Sequence, residues 1–265
     1  MNDSRPALGG ARLSLYLSAT HACSYLPGLS ARTLFVDPMA PMDGPRYEGL
    51  IEQGFRRSGA HVYRPACDPC RRCVPVRIPV REFSPNRSQR RNARLNADLT
   101  LVDRPAAFDP EHYFLYETYV RSRHAGGGMA EDASAQSYQD FLTRPWGGET
   151  RLLELRLGAR LLAVAVTDRL PASLSAVYTF FDPAPPRRAL GTFAVLRQIA
   201  LARRLGLRYL YLGYWIEECR KMSYKDAFRP IQAWTGGHWR QYGRGETIAW
   251  RGSPGDSQPG RQRDL

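Results

Sequence analysis

Lysine is nearly absent. Lys221 and Lys225 are the only two in 265 residues, yet Lys+Arg total 38 against 25 Asp+Glu, a formal charge of +13. Arginine carries the excess, and its planar fork meets phosphate or carboxylate oxygens in pairs, so a nucleic acid or an acidic substrate is the expected partner. A GC-rich coding sequence would also exchange lysine for arginine, but it would not create the net charge. Long apolar runs are missing too: nothing approaches the roughly 20 residues of a membrane-spanning helix. The opening stretch, MNDSRPALGGARLSLYLSAT, has no signal-peptide layout. A cytoplasmic protein with no membrane partner is therefore expected, in which five cysteines would not form structural disulfides.

Separated C-x2-C pairs, the mark of a zinc ribbon, are likewise lacking. Cys67, Cys70 and Cys73 instead form one extended C-x2-C-x2-C knuckle, with Cys23, His21 or His61 free to fold back as a fourth ligand. Three thiols at this spacing in a reducing compartment suit zinc or an iron–sulfur cluster; the alternative is a set of reduced thiols with no metal. Next, RIPVREFSPNRSQRRNAR carries six arginines against Glu82. Its first part alternates like a strand, and Ser88 to Leu95 reads as a helix. This run, with Arg87, Arg90 and Arg91, is the best candidate for contact with a phosphate backbone.

Asp109 caps a helix that begins at Pro110, places Tyr113, Tyr116, Tyr119 and Val120 on one face, and stops at Gly126-Gly127-Gly128 beside His124. A second helix spans about Gln136 to Leu142. Thr150–Leu157, Leu161–Asp168 and Leu174–Phe181 are three β-prone runs whose short joins imply antiparallel pairing. A helix from about Thr192 to Leu205, a strand Leu207–Gly213, a helical Glu217–Phe228 and a last apolar piece, Ile231–Trp239, complete the order. The expected fold is α+β: an acetyltransferase-like (GNAT) core with a mainly antiparallel sheet, after a smaller Cys-containing module. The divisions expected are 1–102 for the Cys-containing, Arg-rich module, 103–251 for the core and 252–265 for a disordered tail. Arg187, Arg188 and Gly191 crowd the entrance of the Thr192 helix, where orphan N–H groups suit an anion.

Two sets of motifs now join. CSYLPG at Cys23 and RPACDPCRRCVPVRIPV near the front, with SAVYTFFDP, LGTFAVL, YLYLGYWI and CRKMSYKDAFRP near the back, resemble the bacterial aminoacyl-tRNA–protein transferases, in the aspartate/glutamate leucyltransferase branch related to eukaryotic arginyl-tRNA–protein transferase. The resemblance runs from about residue 13 to 240. It implies transfer of leucine from leucyl-tRNA to proteins with N-terminal Asp or Glu, in the N-end rule pathway, without ATP. The eukaryotic relatives have paired cysteines near the N-terminus associated with an iron–sulfur cluster; this sequence departs, with His21-Ala22-Cys23 in place of that pair. Cys67, Cys70 and Cys73 with Cys23 are the thiolates that could supply a zinc or cluster site, none being required for transfer. Cys219 reads as a packed thiol outside that set.

The residues suit such a reaction. In Arg188-Ala-Leu-Gly191-Thr-Phe193 an acetyltransferase pyrophosphate loop keeps its Arg and first Gly, but Phe193 fills the last small position, which disfavours coenzyme A. A tRNA 3′ end can use the same place, stacking on Tyr178, Phe180 or Trp215. Aminoacyl-tRNA is already an activated ester, so positioning should supply most of the rate, with Asp182 or Tyr178 as the candidate base or proton relay. An acidic acceptor needs a cation, and Arg77, Lys221, Lys225 and Arg229 are the candidates, with Tyr224 beside them. Rival readings are arginine as the transferred residue, a coenzyme A-dependent N-acetyltransferase, and a metal-stapled RNA-binding protein without catalysis.

Overall fold

Strand-prone segments in this chain outnumber the joins long enough to cross a sheet, so most neighbours pair antiparallel. The computed structural model describes residues 13–68, 70–123, 133–184 and 186–250. The expected leader, His124 with its glycine run, Pro185 and the tail from 252 lie outside the described residues. Numbered along the chain, β1 (Leu15–Leu17), β4 (Thr33–Val36), β5 (Arg56–Ser58) and β6 (His61–Pro65) form a small antiparallel sheet in the order β1-β4-β6-β5. β2 (His21–Ala22) and β3 (Ser30–Ala31) pair beside it. The large sheet takes β7 (Val74–Pro79), β8 (Thr100–Pro105), β9 (Glu149–Leu157), β10 (Arg160–Arg169), β11 (Ser173–Phe181), β12 (Tyr209–Trp215), β13 (Ile231–Thr235) and β14 (His238–Tyr242), in the order β14-β13-β7-β12-β11-β10-β9-β8. Every pair in it is antiparallel except β11 with β12. The expectation of a mixed fold with a mainly antiparallel sheet holds.

β7 lies between β12 and β13, so the sheet draws strands from both sides of residue 102. The helices are α1 (Gly44–Ile51), α2 (Arg87–Leu95), α3 (Pro110–Arg123), α4 (Ala135–Tyr138), which continues as a π-helical turn over Gln139–Thr143, α5 (Leu190–Arg204) and α6 (Arg220–Ser223). Among the described residues none is long and apolar enough to cross a membrane.

Alternation along the strands sorts the core onto two faces. Leu153, Leu155, Ala163 and Ala165 meet Phe193, Val195 and Ile199 of α5. Leu152, Val164, Val166 and Phe180 meet Leu115, Tyr116 and Val120 of α3 with Tyr138 and Leu142. Each large side chain so buried contributes roughly 1.5–3 kcal/mol. The central strands are covered on both faces, which is why β10 is buried from Leu161 to Asp168.

The small sheet and α1 pack on the same side as α3, where Tyr47, Ile51 and Phe55 meet Trp146, Leu170 and Tyr211. Two polar ties lock this contact. Glu48 of α1 accepts from Ala172 N and Ser173 Oγ at the β10–β11 turn, and Arg57 of β5 forks onto Asp168 of β10 at 2.9 and 2.7 Å.

Three boundaries differ from the sequence expectation. The strand after α5 begins at Tyr209, because Leu207 N and Arg208 N are used in the turn, on Ala202 O and Ala172 O. Glu217–Phe228 is helical only over α6 and a 3-10 turn, Tyr224–Ala227, as the Lys225 side chain turns inward to Tyr214 O. Ile231–Trp239 folds as a hairpin at Gly236-Gly237, whose φ of 62° and 84° suit glycine.

The Arg57–Asp168 pair yields a test. Asp168→Ala leaves a guanidinium buried without its partner and should cost about 3–5 kcal/mol, read by chemical denaturation. The double variant Arg57→Met/Asp168→Leu should recover most of that loss.

Candidate active site

β11 and β12 start side by side and then part. Their parallel pairing covers only Ser173–Ser175 against Tyr209–Tyr211. On the other edge of β11, the register with β10 slips between Val166 and Thr167, so Val177 has no opposite residue. A β-bulge of this kind re-aims the backbone and often sits beside a functional site. The sheet therefore opens a fork at Ala176-Val177, in the middle of its width.

A side chain from the small sheet occupies the fork. Arg56 of β5 donates from Nη2 to Ala176 O at 3.0 Å. Across the gap, Gly213 of β12 has φ 78°, and a Cβ there would overlap Arg56 Nη1. Glycine is thus required twice at this position, for its backbone angle and for the guanidinium. Arg56 is half-buried, and among the described residues no carboxylate pairs with it. It stands within electrostatic reach of Tyr25, Tyr47, Tyr214, Tyr224 and Lys225.

Lys225 completes this group. It is 5% exposed, and its Nζ donates to Tyr214 O and reaches Met222 Sδ at 3.2 Å. Burial first, and then the charge of Arg56, depress its pKa from the ordinary lysine value to about 7. Tyr214 is fixed through its hydroxyl to Gly54 O at 3.0 Å, and burial pushes its own pKa well up, so it remains a phenol.

Aromatic rings line the fork on the α3 side. Tyr178 lies 6.3 Å from Tyr119 and 5.2 Å from Phe141, centroid to centroid, and Tyr119 lies 4.8 Å from Phe181. The Tyr178 hydroxyl is buried with no partner among the described residues, and burial raises its pKa far above the usual phenol. It can donate a hydrogen bond but not serve as a base near neutrality. Asp182, at the end of β11, accepts from Arg160 Nη2 at 2.5 Å and from Ala184 N.

The expected cations separate by environment. Arg77 is 6% exposed, hydrogen-bonded to Gln232 Oε1 and Tyr211 OH, and sandwiched by Tyr209 at 3.6 Å and Trp239 at 4.2 Å. Arg229 is 8% exposed and bound to Asp226 and Gly243 O. Both are engaged inside the protein. Lys221 and Tyr224 are exposed, with the Tyr224 ring 5.9 Å from Lys225 Nζ.

The expected phosphate-facing residues do come together. Arg87, Arg90 and Arg91 lie on the exposed face of α2. On its inner face Asn92 and Asn96 both donate at 2.8 Å to Arg188 O, just before α5. Arg187 is exposed there, while Arg188 forks onto Asp98 at 2.8 Å. A Cβ on Gly191 would meet the Phe181 ring at 3.3 Å, so the α5 entrance is partly roofed by an aromatic side chain.

Cys23, Cys67, Cys70 and Cys219 all lie within electrostatic reach of Cys73, whose thiol burial and these neighbours push up to about 12. Cys219 thus joins the group from which sequence distance separated it. The register explains this: Val74 pairs with Trp215, and Arg72 meets Glu218 at 3.2 Å. The donor type suits zinc or an iron–sulfur cluster. Among the described residues no three His, Cys, Asp or Glu side chains are grouped to hold a metal ion as they stand.

Sequence reasoning missed Arg56, Arg57 and Tyr214. The one local signal was Gly213, a lone glycine within the apolar run YLYLGYW.

Comparison with known proteins fits this layout. A family model described as "Arginine-tRNA-protein transferase, N terminus" matches residues 21–91, and one described as "Arginine-tRNA-protein transferase, C terminus" matches 111–235. These matches define the class, a tRNA-dependent protein transferase built from both sheets. An aspartate/glutamate leucyltransferase of Chromohalobacter salexigens is 50% identical over 245 residues, 91% of this chain and 98% of the relative. One of Pseudomonas fluorescens is 51% identical over 231 residues, 86% and 97% of the two chains. The chain belongs to the aspartate/glutamate leucyltransferase family. Among solved structures, FemX aligns with a TM-score of 0.42 at 11% identity over 80% of this chain and 82% of its own, too weak a likeness to build on.

The depressed Lys225 gives a pH test. Between pH 7 and the ordinary lysine value near 10.5, the unfolded chain holds this proton and the folded chain does not. Raising the pH through that window therefore stabilises the fold through Lys225. Lys225→Met should abolish this slope: wild-type stability relative to the variant should climb by about 2 kcal/mol between pH 7 and 9, read from paired thermal melts.

Proposed function

We propose that this chain transfers leucine from leucyl-tRNA to the N-terminal α-amine of proteins beginning with Asp or Glu, in the cytoplasm, as a step of N-end rule degradation. The observation that carries the reading is 50% identity across 98% of a relative named aspartate/glutamate leucyltransferase. The core is read as acetyltransferase-like because a parallel strand pair splays beside a bulge, with a helix entrance at its open end. The reacting ester would lie at that fork.

Donor tRNA lies along α2 and the start of α5 in this reading. Arg87, Arg90, Arg91 and Arg187 meet its backbone, Arg188 stays on Asp98 beside them, and the 3′ end passes Gly191 toward the Tyr178–Phe181 wall. Such contacts give affinity and salt dependence without reading sequence. The acceptor approaches past Lys221 and Tyr224. Its neutral α-amine attacks the ester carbonyl; the C–N bond forms, the C–O bond to ribose breaks, the amine loses a proton and the ribose oxygen gains one. An α-amine with a pKa of about 7.7–8 is partly neutral at pH 7.5, so alignment does most of the work. Tyr178, held as a phenol, is the proposed donor to the developing oxyanion, its buried hydroxyl being without a partner among the described residues, and Asp182 with Arg160 steadies the end of β11. Transfer from an ester requires no metal, and no step is assigned to one.

The test is transfer of labelled leucine, with labelled arginine in parallel, from charged tRNA to peptides beginning with Asp, Glu, Lys or Ala, without ATP. Leucine on the Asp and Glu peptides alone is expected; arginine in its place would move the donor assignment to the other branch of the class. The triple variant Arg87→Ala/Arg90→Ala/Arg91→Ala should melt like wild type, because these side chains are exposed. It should bind tRNA more weakly, with a salt slope lower by roughly 1 per arginine removed.

A further inference from the structure

We infer that Arg56 is the residue that selects acidic acceptors, by taking the side-chain carboxylate of an incoming N-terminal Asp or Glu in the β11/β12 fork. The inference rests on the proposed transfer reaction and names the specificity group of the same site.

Distinguishing Asp from Asn, or Glu from Gln, is a choice between near-isosteres, so shape cannot make it. A fixed cation can, because it pairs with the carboxylate and leaves the amide with mismatched donors. The candidate cations can be sorted by what already holds them. Arg57 is committed to Asp168, Arg188 to Asp98, Arg229 to Asp226, and Arg77 is closed in by Tyr209 and Trp239. Lys225 is buried, with its Nζ on a main-chain carbonyl. Lys221 is exposed, and its ammonium is a compact point charge without the planar fork that meets both oxygens of a carboxylate.

Arg56 differs from all of these. One nitrogen rests on Ala176 O, and among the described residues its other N–H groups meet no acceptor. Its position is nonetheless fixed, by that carbonyl on one side and the Gly213 gap on the other. The neighbouring groups, Tyr25, Tyr214 and Tyr224, offer phenols and no competing carboxylate. Half-burial lowers the local dielectric, so a charge-assisted pair is stronger there than at an open surface. A carboxylate seated on Arg56 would also set the acceptor's α-amine, one or two methylenes away along the side chain, beside the bulge at Val177.

The test compares wild type, Arg56→Lys and Arg56→Met, with charged tRNA and peptides beginning with Asp, Asn, Glu or Gln, each variant first shown to melt cooperatively. Wild type should prefer Asp over Asn in kcat/KM on the order of 100-fold or more. In Arg56→Met the preference should collapse toward unity, through a raised KM for the acidic peptides, while slow transfer to Asn peptides persists. Arg56→Lys should restore part of it. Calorimetric binding of the peptides, with no donor present, should show the same loss. An unchanged Asp-to-Asn ratio in Arg56→Met would overturn the inference and leave the transfer reaction standing. Equal loss of transfer to Asp and Asn peptides would also overturn it, by placing Arg56 on the ester instead. Wild type that transfers nothing to any peptide would remove the proposed function, and the inference with it. Arginine rather than leucine on the product would change only the donor, because the acceptor ratio still decides the role of Arg56.

Discussion

Everything at the fork depends on one buried ion pair. Arg57 and Asp168 have side chains 1% and 0% exposed, and the guanidinium meets the carboxylate through two nitrogens. Burying two charges costs several kcal/mol for each ion, so the pair is a weak source of net stability. What it supplies is position. A bidentate fork tolerates little rotation or sliding, and β5 is therefore held at one place against β10. Arg56 is the preceding residue. With Arg57 pinned, the reach of Arg56 is set, and it falls on Ala176 O. The gap that Gly213 leaves in β12 is then filled from a strand belonging to another sheet.

How much of this could be read from the chain differs between fold and site, for physical reasons. Meander strands, the α3 face of tyrosines and the arginine face of α2 follow from periodicity and short joins, which are local properties. The site is assembled from contacts far apart in sequence. Arg56 and Ala176 are separated by 120 positions, and two adjacent arginines in a chain of charge +13 carry no mark that one will be buried against an acid and the other left open. Arg77 shows the converse. Its place beside a cysteine knuckle suggested a substrate contact, but β12 and β14 bring Tyr209, Tyr211 and Trp239 around it from more than 130 residues away. Cys219 is joined to Cys73 by strand register, which sequence distance cannot reveal.

The arginine surplus, read at first as a single property, divides by burial into two sets. Arg57, Arg77 and Arg229 are interior and spend their donors on the protein itself. Arg87, Arg90, Arg91 and Arg94 are exposed along α2. That helix does not dock through an apolar stripe: Gln89, Asn92 and Asn96 are its inner side chains, and they donate to the main-chain carbonyls of Ala227 and Arg188. Directional bonds to backbone fix the angle of a helix more tightly than apolar contact does, since a carbonyl accepts only near its lone pairs. The same bonds hold the residue before the left-handed Ala189, φ 44°, which opens α5. The charged face and the α5 entrance are thus one rigid unit.

Arg56 and Lys225 are two cations held close in a partly dry place, and only one of them can give way. A guanidinium stays charged at any pH near neutrality. Lysine can shed its proton, and it is Lys225 whose pKa falls to about 7. A negative charge beside Arg56 would offset its repulsion of Lys225, while burial, the larger cause of the depression, would remain. Had position 56 been lysine, the repulsion would have been shared between two groups able to neutralise, and the fork could lose its fixed positive charge. Arginine at position 56 therefore keeps a fixed positive charge there, beside one of only two lysines in the chain.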